Sequence, residues 1–229
     1  MSEEKDISVG FMGCGMMASA LMGGLVSEKL VKDPASISCS DVYMPSVERA
    51  ASKGYSATQS NETVCSTAKD AIVIAVKPDV VKVVCGDIRK VESDALIISI
   101  AAGITLETLE SLLPGRRVVR VMPNTPCLVG EAASGYAMGK LCTDNDREIV
   151  QKILGAVGVA KEICIQEKRR QNWPGHVGIL SDEECIELCH IENTQCLAKC
   201  HDPDYVPTTK PPTTTTTTIP TTTTKPTTT

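Results

Sequence analysis

Ile7-Ser-Val-Gly-Phe-Met-Gly-Cys-Gly-Met-Met-Ala18 decides the fold of this chain. A short apolar run, Ile7 to Met12, passes into Gly13-x-Gly15-x-x-Ala18, and an apolar-periodic segment follows from Leu21 to Leu30. Strand, glycine turn and helix in that order are what a dinucleotide-binding βα unit requires. Gly13 permits the tight turn, Gly15 lets the backbone approach a pyrophosphate, and Ala18 lets helix and strand pack closely. The helix start then presents unpaired N–H groups and the positive end of its dipole to phosphate. A signal peptide is the competing reading of residues 9–26. The acidic Met1-Ser-Glu-Glu-Lys-Asp6 before them and the glycines within them argue against it.

Alternation continues down the chain. Strands are predicted at Ile37–Ser40, Ala71–Val76, Ala95–Ile100, Arg117–Met122 and Val159–Ile165. Helices are predicted at Val47–Ser52, Val80–Lys90, Thr105–Leu113 and Asn145–Leu154. Continuously apolar strands such as Ala71-Ile-Val-Ile-Ala-Val76 are expected where a parallel sheet is buried on both faces. The fold class is therefore α/β, a Rossmann-like, doubly wound, mostly parallel sheet. With only 3% aromatic residues, its core must be built from aliphatic side chains and Met.

Ligands of such sheets lie beyond the carboxyl ends of the strands. The loops there carry Ser40-Asp41, Val76-Lys77-Pro78, Ala101-Ala102-Gly103 and Pro123-Asn-Thr-Pro126. Two of these cues conflict. Asp41 suits the ribose hydroxyls of NAD and repels a 2′-phosphate, whereas Ser40 could donate to that phosphate. Lys77 is presented at the ligand edge, though spacing alone favours a solvated loop lysine. A net charge of −5 leaves no electrostatic footprint for nucleic acid. No apolar stretch is long enough to span a bilayer, so no membrane partner is expected.

Gly10-Phe-Met-Gly-Cys-Gly-Met-Met-Ala18, Ala75-Val-Lys-Pro78, Ser99-Ile-Ala-Ala-Gly103, Arg117-Val-Val-Arg-Val-Met-Pro-Asn-Thr-Pro126 and Val129-Gly-Glu-Ala132 together resemble the pyrroline-5-carboxylate reductase family. The resemblance runs from Val9 to about Glu167. It implies an oxidoreductase of proline biosynthesis that passes a hydride from NADP(H) or NAD(H) to the imine carbon of 1-pyrroline-5-carboxylate, a small-molecule substrate. It further implies that Met12, Gly13, Cys14, Gly15, Met16 and Met17 wrap the pyrophosphate. Ser40 would lie by the adenosine ribose or its phosphate, and Asn61 by the adenosine half. Ala75, Val76, Lys77 and Pro78 would border the cofactor, and Ile100, Ala101 and Ala102 the nicotinamide side. Met16 departs from the family, which often has a polar residue there; a turn that binds through its backbone loses at most one side-chain contact.

The family continues into a helical domain that makes the dimer and most of the substrate pocket. Its Gly-Ser-Gly-Pro and Ser-Pro-Gly-Gly-Thr signatures do not occur in this sequence. The family forms homo-oligomers through that domain, so no catalytic residue is assigned here, and weak activity or none is expected of the chain alone. Three parts are expected: an NAD(P)-binding domain over 1–168, a Cys-rich segment over 169–206, and a disordered Thr/Pro-rich tail over 207–229. Seven of the 11 cysteines are scattered singly, as in reduced cytoplasmic proteins. Four are clustered as Cys185-x3-Cys189 and Cys196-x3-Cys200. These read as two disulfide-stapled helical turns in preference to a zinc site, and no metal is assigned. Part of this segment faintly resembles an extracellular apple-type module. Such a piece beside a mucin-like tail belongs to another compartment than a reductase. A fusion or a misjoined gene is therefore one alternative reading, and a dinucleotide-binding module without catalysis is another.

Overall fold

The computed structural model describes residues 6–163. The Cys-rich segment, its disulfide or zinc state, and the Thr/Pro tail lie outside the described residues. An eight-stranded sheet forms the centre: β1 (Val9–Met12), β2 (Ser38–Ser40), β3 (Ser56–Thr58), β4 (Ala71–Ile74), β5 (Leu96–Ser99), β6 (Val118–Met122), β7 (Ala132–Met138) and β8 (Gly158–Glu162). Its spatial order is β3-β2-β1-β4-β5-β6-β7-β8. The strands from β3 across to β6 are all parallel, β7 runs against β6, and β8 runs with β7. The winding direction reverses between β1 and β4, which opens a crevice at their carboxyl ends.

Helices cover both faces, as the doubly wound reading requires. α1 (Met16–Ser27), α2 (Met44–Ala51) and α6 (Asp144–Gly155) pack on one face, around Phe11, Cys39, Val73, Ile98 and Tyr136. α3 (Asn61–Thr67), α4 (Val81–Arg89) and α5 (Leu106–Leu112) pack on the other, around Met12, Ile72, Ile74 and Ile97. In α1 the buried residues are Ala18, Leu21, Met22 and Leu25, a single stripe at helical spacing. Strands β1, β4 and β5 are buried at every position, so their sequences show no alternation.

Several expected boundaries change. α1 begins at Met16 and ends at Ser27, so the helix predicted from Leu21 to Leu30 starts a turn sooner, directly on the glycine turn. α2 begins at Met44, because Pro45 in its first turn suits helix entry. β4 stops at Ile74, leaving Ala75 and Val76 outside the sheet. Two strands and one helix escaped the sequence reading. β3 and α3 are only three and seven residues long. β7, Ala-Ala-Ser-Gly-Tyr-Ala-Met, is rich in small residues and lacks the β-branched signal of a strand.

The far end of the domain is fixed by one buried carboxylate. Asp146, with no exposed side-chain surface, accepts from the Thr143 N–H at 2.7 Å and the Thr143 hydroxyl at 2.8 Å, and pairs with the Arg117 guanidinium at the start of β6. The Thr143 hydroxyl in turn accepts from the Asp146 N–H, completing a capping box on α6. Removing Asp146 takes away the buried partner of Arg117, leaving it the solvent-exposed Asp94, and breaks the capping box. Asp146→Ala is therefore expected to lower the unfolding free energy by about 3 kcal/mol, read from urea denaturation curves.

Candidate nucleotide site

β1 ends at Met12, and Gly13 turns the chain with φ +103°, outside the range that suits an L side chain. A Cβ on Gly13 would stand 2.4 Å from the Ala75 carbonyl oxygen. The turn is stitched to both neighbouring strand ends. Gly13 N–H donates to Ser40 O at 2.7 Å, and Ala75 N–H donates to Met12 O at 2.8 Å. One strand further on, Ile100 N–H donates to Ile74 O at 3.0 Å. The ends of β1, β2, β4 and β5 therefore stand side by side, and the residues singled out from the sequence at those ends come together along one edge.

α1 starts from this turn with Gly15 as its N-cap, and no side chain caps it. Nothing lies within 4 Å of the place a Gly15 Cβ would occupy. The first turn of α1 itself holds no acidic residue, and its amides and dipole face the opening beside Gly15. Gly15 and Met16 are exposed, Met16 at 71%. Met12 and Cys14 are buried side chains, at 0% and 1%, so they offer the edge only their main chain. Met17 is half-buried, with Cys127 Sγ 3.1 Å from its sulfur.

The remaining residues flank this turn. Ser40 is buried, and its hydroxyl donates to Asn61 Oδ1 at 2.6 Å. Asn61 begins α3, whose N-cap is Ser60, and its amide nitrogen donates to Asp87 Oδ2 at 2.9 Å. Ala75 and Val76 are half-buried, Lys77 and Pro78 exposed at the mouth. Ile100 is half-buried, Ala101 buried and Ala102 exposed. The contacts of three residues were not legible in the sequence. Asp41 Oδ2 accepts the Cys14 N–H at 2.9 Å, and Arg49 Nη2 on α2 donates to Cys14 O at 3.2 Å and to Ser46 Oγ at 3.0 Å. Asp87 on α4 closes the Ser40–Asn61 chain from the other face. Arg49 and Asp87 lie far along the chain from the groups they hold, and no local pattern marks them.

The surroundings keep thiols inert. Burial pushes the Cys65 and Cys85 thiols up to about 11, so both stay protonated at neutral pH. Asp87 moves the other way. The Lys90 ammonium, 2.7 Å away, and the Asn61 amide hold its carboxyl below the usual carboxylate range.

A parallel sheet with a winding reversal and an open glycine turn feeding an uncapped helix defines a dinucleotide-binding α/β domain. Comparison with known proteins agrees. Residues 8–103 match the family model described as NADP oxidoreductase coenzyme F420-dependent. The pyrroline-5-carboxylate reductase of Methanosarcina acetivorans is 41% identical over 157 residues, covering 68% of this chain and 58% of that protein. The solved pyrroline-5-carboxylate reductase of Coxiella burnetii superposes with a TM-score of 0.66 at 30% identity, covering 71% of this chain and 60% of that one. The Plasmodium falciparum pyrroline carboxylate reductase, solved with NADP bound, gives 0.62 at 33% identity, covering 69% and 58%. Over these residues the chain is similar to pyrroline-5-carboxylate reductases, and it spans less than two thirds of the length of these relatives.

Two outcomes follow from this geometry. Gly13→Ala must strain φ and push on the Ala75 carbonyl, so it is expected to cost about 3 kcal/mol or more in thermal or urea unfolding. For Asp87, a folded pKa below the unfolded one stabilises the fold above about pH 4 and ceases to do so as pH falls through the folded value. Asp87→Asn should therefore be less stable than the parent at pH 7, with the gap closing as urea curves are taken to lower pH.

Proposed function

We propose that the chain binds a reduced nicotinamide dinucleotide, NAD(H) or NADP(H), and serves the reduction of 1-pyrroline-5-carboxylate to proline. The observation that carries this reading is the uncapped start of α1 on the Gly13 turn, open at the crevice between β1 and β4. The turn from Met12 to Met17 wraps the diphosphate, the amides left open for it being those of Gly15, Met16 and Met17 at the start of α1. Ser40 and Asn61 lie toward the adenosine half. Ala75 to Pro78 and Ile100 to Ala102 border the nicotinamide half, where small residues let a flat ring approach the backbone.

When bound, such a coenzyme supplies the hydride for the imine carbon, while the ring nitrogen takes a proton. The protein's share is to hold ring against ring. Residues 1–168 supply the coenzyme half of that arrangement, and the groups that hold the substrate carboxylate come from elsewhere. A reducing compartment such as the cytoplasm fits the free thiols at Cys14, Cys39, Cys65, Cys85, Cys127 and Cys142.

The test is fluorescence titration of the purified 229-residue chain with NADH and NADPH, followed by addition of pyrroline-5-carboxylate. Saturable binding with coenzyme oxidation no faster than the substrate-free control is expected. Absence of binding by folded protein would refute the nucleotide reading, and brisk turnover would refute the division between coenzyme half and substrate half.

A further inference from the structure

The carboxyl end of β2 carries two residues with opposite implications for the coenzyme, and the structure separates them. Successive residues on a strand point to opposite faces. Ser40 points toward α3, is 1% exposed, and spends its hydroxyl proton on Asn61. Asn61 is in turn bonded to Asp87, so the Ser40 hydroxyl and one Asn61 N–H are already spent within this chain of bonds. Asp41 stays in line with the sheet, its N–H donating to Thr58 O at 3.2 Å, and its side chain points toward the glycine turn. There Oδ2 accepts the Cys14 N–H and Oδ1 accepts the Tyr43 N–H, each at 2.9 Å.

We infer that Asp41 selects the coenzyme, and that this chain takes NADH in preference to NADPH. The inference rests on the nucleotide reading above. Two backbone donors fix the Asp41 carboxylate beside the turn on which the diphosphate would sit, which is where the adenosine ribose must follow. Each carboxylate oxygen has a second lone pair for a ribose hydroxyl. A 2′-phosphate in the same place would put its negative charge against a carboxylate that cannot swing away without abandoning both amides. The cation bonded to this turn is Arg49, whose Nη2 is engaged with Cys14 O and Ser46 Oγ. Those two bonds steady the turn, while the Asp41 carboxylate stands beside it and repels a 2′-phosphate.

Isothermal titration of the 229-residue chain with NADH and with NADPH, at one ionic strength, tests this. NADH is expected to bind at least about tenfold more tightly, the discrimination that one like-charge contact near a protein surface provides. Asp41→Ser removes the charge and should shrink that ratio at least about tenfold, with NADPH gaining. Asp41→Asn keeps the size and one acceptor for the turn, and should shift the ratio the same way. If Asp41 only held the turn together, both variants would weaken the two coenzymes alike and leave the ratio unchanged, which would overturn the inference. Equal or tighter binding of NADPH by the parent chain would also overturn it. Binding of neither coenzyme by folded protein would instead bring down the nucleotide reading, and this inference with it.

Discussion

The structure depends on one backbone conformation, the positive φ of Gly13 beneath the Ala75 carbonyl. Met12 and Gly13 are bonded to strand ends on both sides, so the turn fixes β2 and β4 against β1 at their carboxyl ends. It also sets the direction in which α1 leaves the sheet. A side chain at Gly13 would have to displace main chain, and main chain in the middle of a parallel sheet has nowhere to go. The crevice, the exposed amides and the buried stripe of α1 are consequences of this one constraint.

A turn built this way binds through groups that every residue possesses. That explains why its side chains are free to serve other purposes. Met12 and Cys14 complete the two cores on either side of the sheet, Met17 packs toward Cys127, and Met16 stands in solvent. The departure at Met16 is thus tolerated for a structural reason. Side-chain chemistry enters only at the rim, through Asp41, Arg49 and the Ser40–Asn61–Asp87 chain.

How much of this the sequence disclosed follows from the range of each interaction. The glycine turn and the buried strands β1, β4 and β5 are local patterns, and their reading agrees with the structure. β7 was missed because small residues carry no strand preference of their own; it is held as a strand by pairing with β6 and β8. The candidate residues at the strand ends lie along one edge, since topology alone brings carboxyl ends together. Asp87 and Arg49 were not legible, because their roles are set by helices packed onto the sheet from opposite faces. The competition between Ser40 and Asp41 could not be settled from residue types. It turns on which face each side chain takes, and that depends on the register of β2 against β1.

The rim also shows how this domain reconciles a polar edge with an aliphatic interior. Three groups of this rim are bonded to backbone or to another side chain. Asp41 is held by two amides, Arg49 by a carbonyl and a hydroxyl, and Asp87 by Asn61 and Lys90. Such groups lose little further freedom when a ligand arrives, so the entropic cost of ordering them has been met on folding. The same bonds limit adaptability: a group tied by two hydrogen bonds discriminates between ligands instead of adjusting to them. Grip by a general backbone turn and selection by a pre-tied rim are therefore separable properties, placed on adjacent residues by the alternation of one short strand.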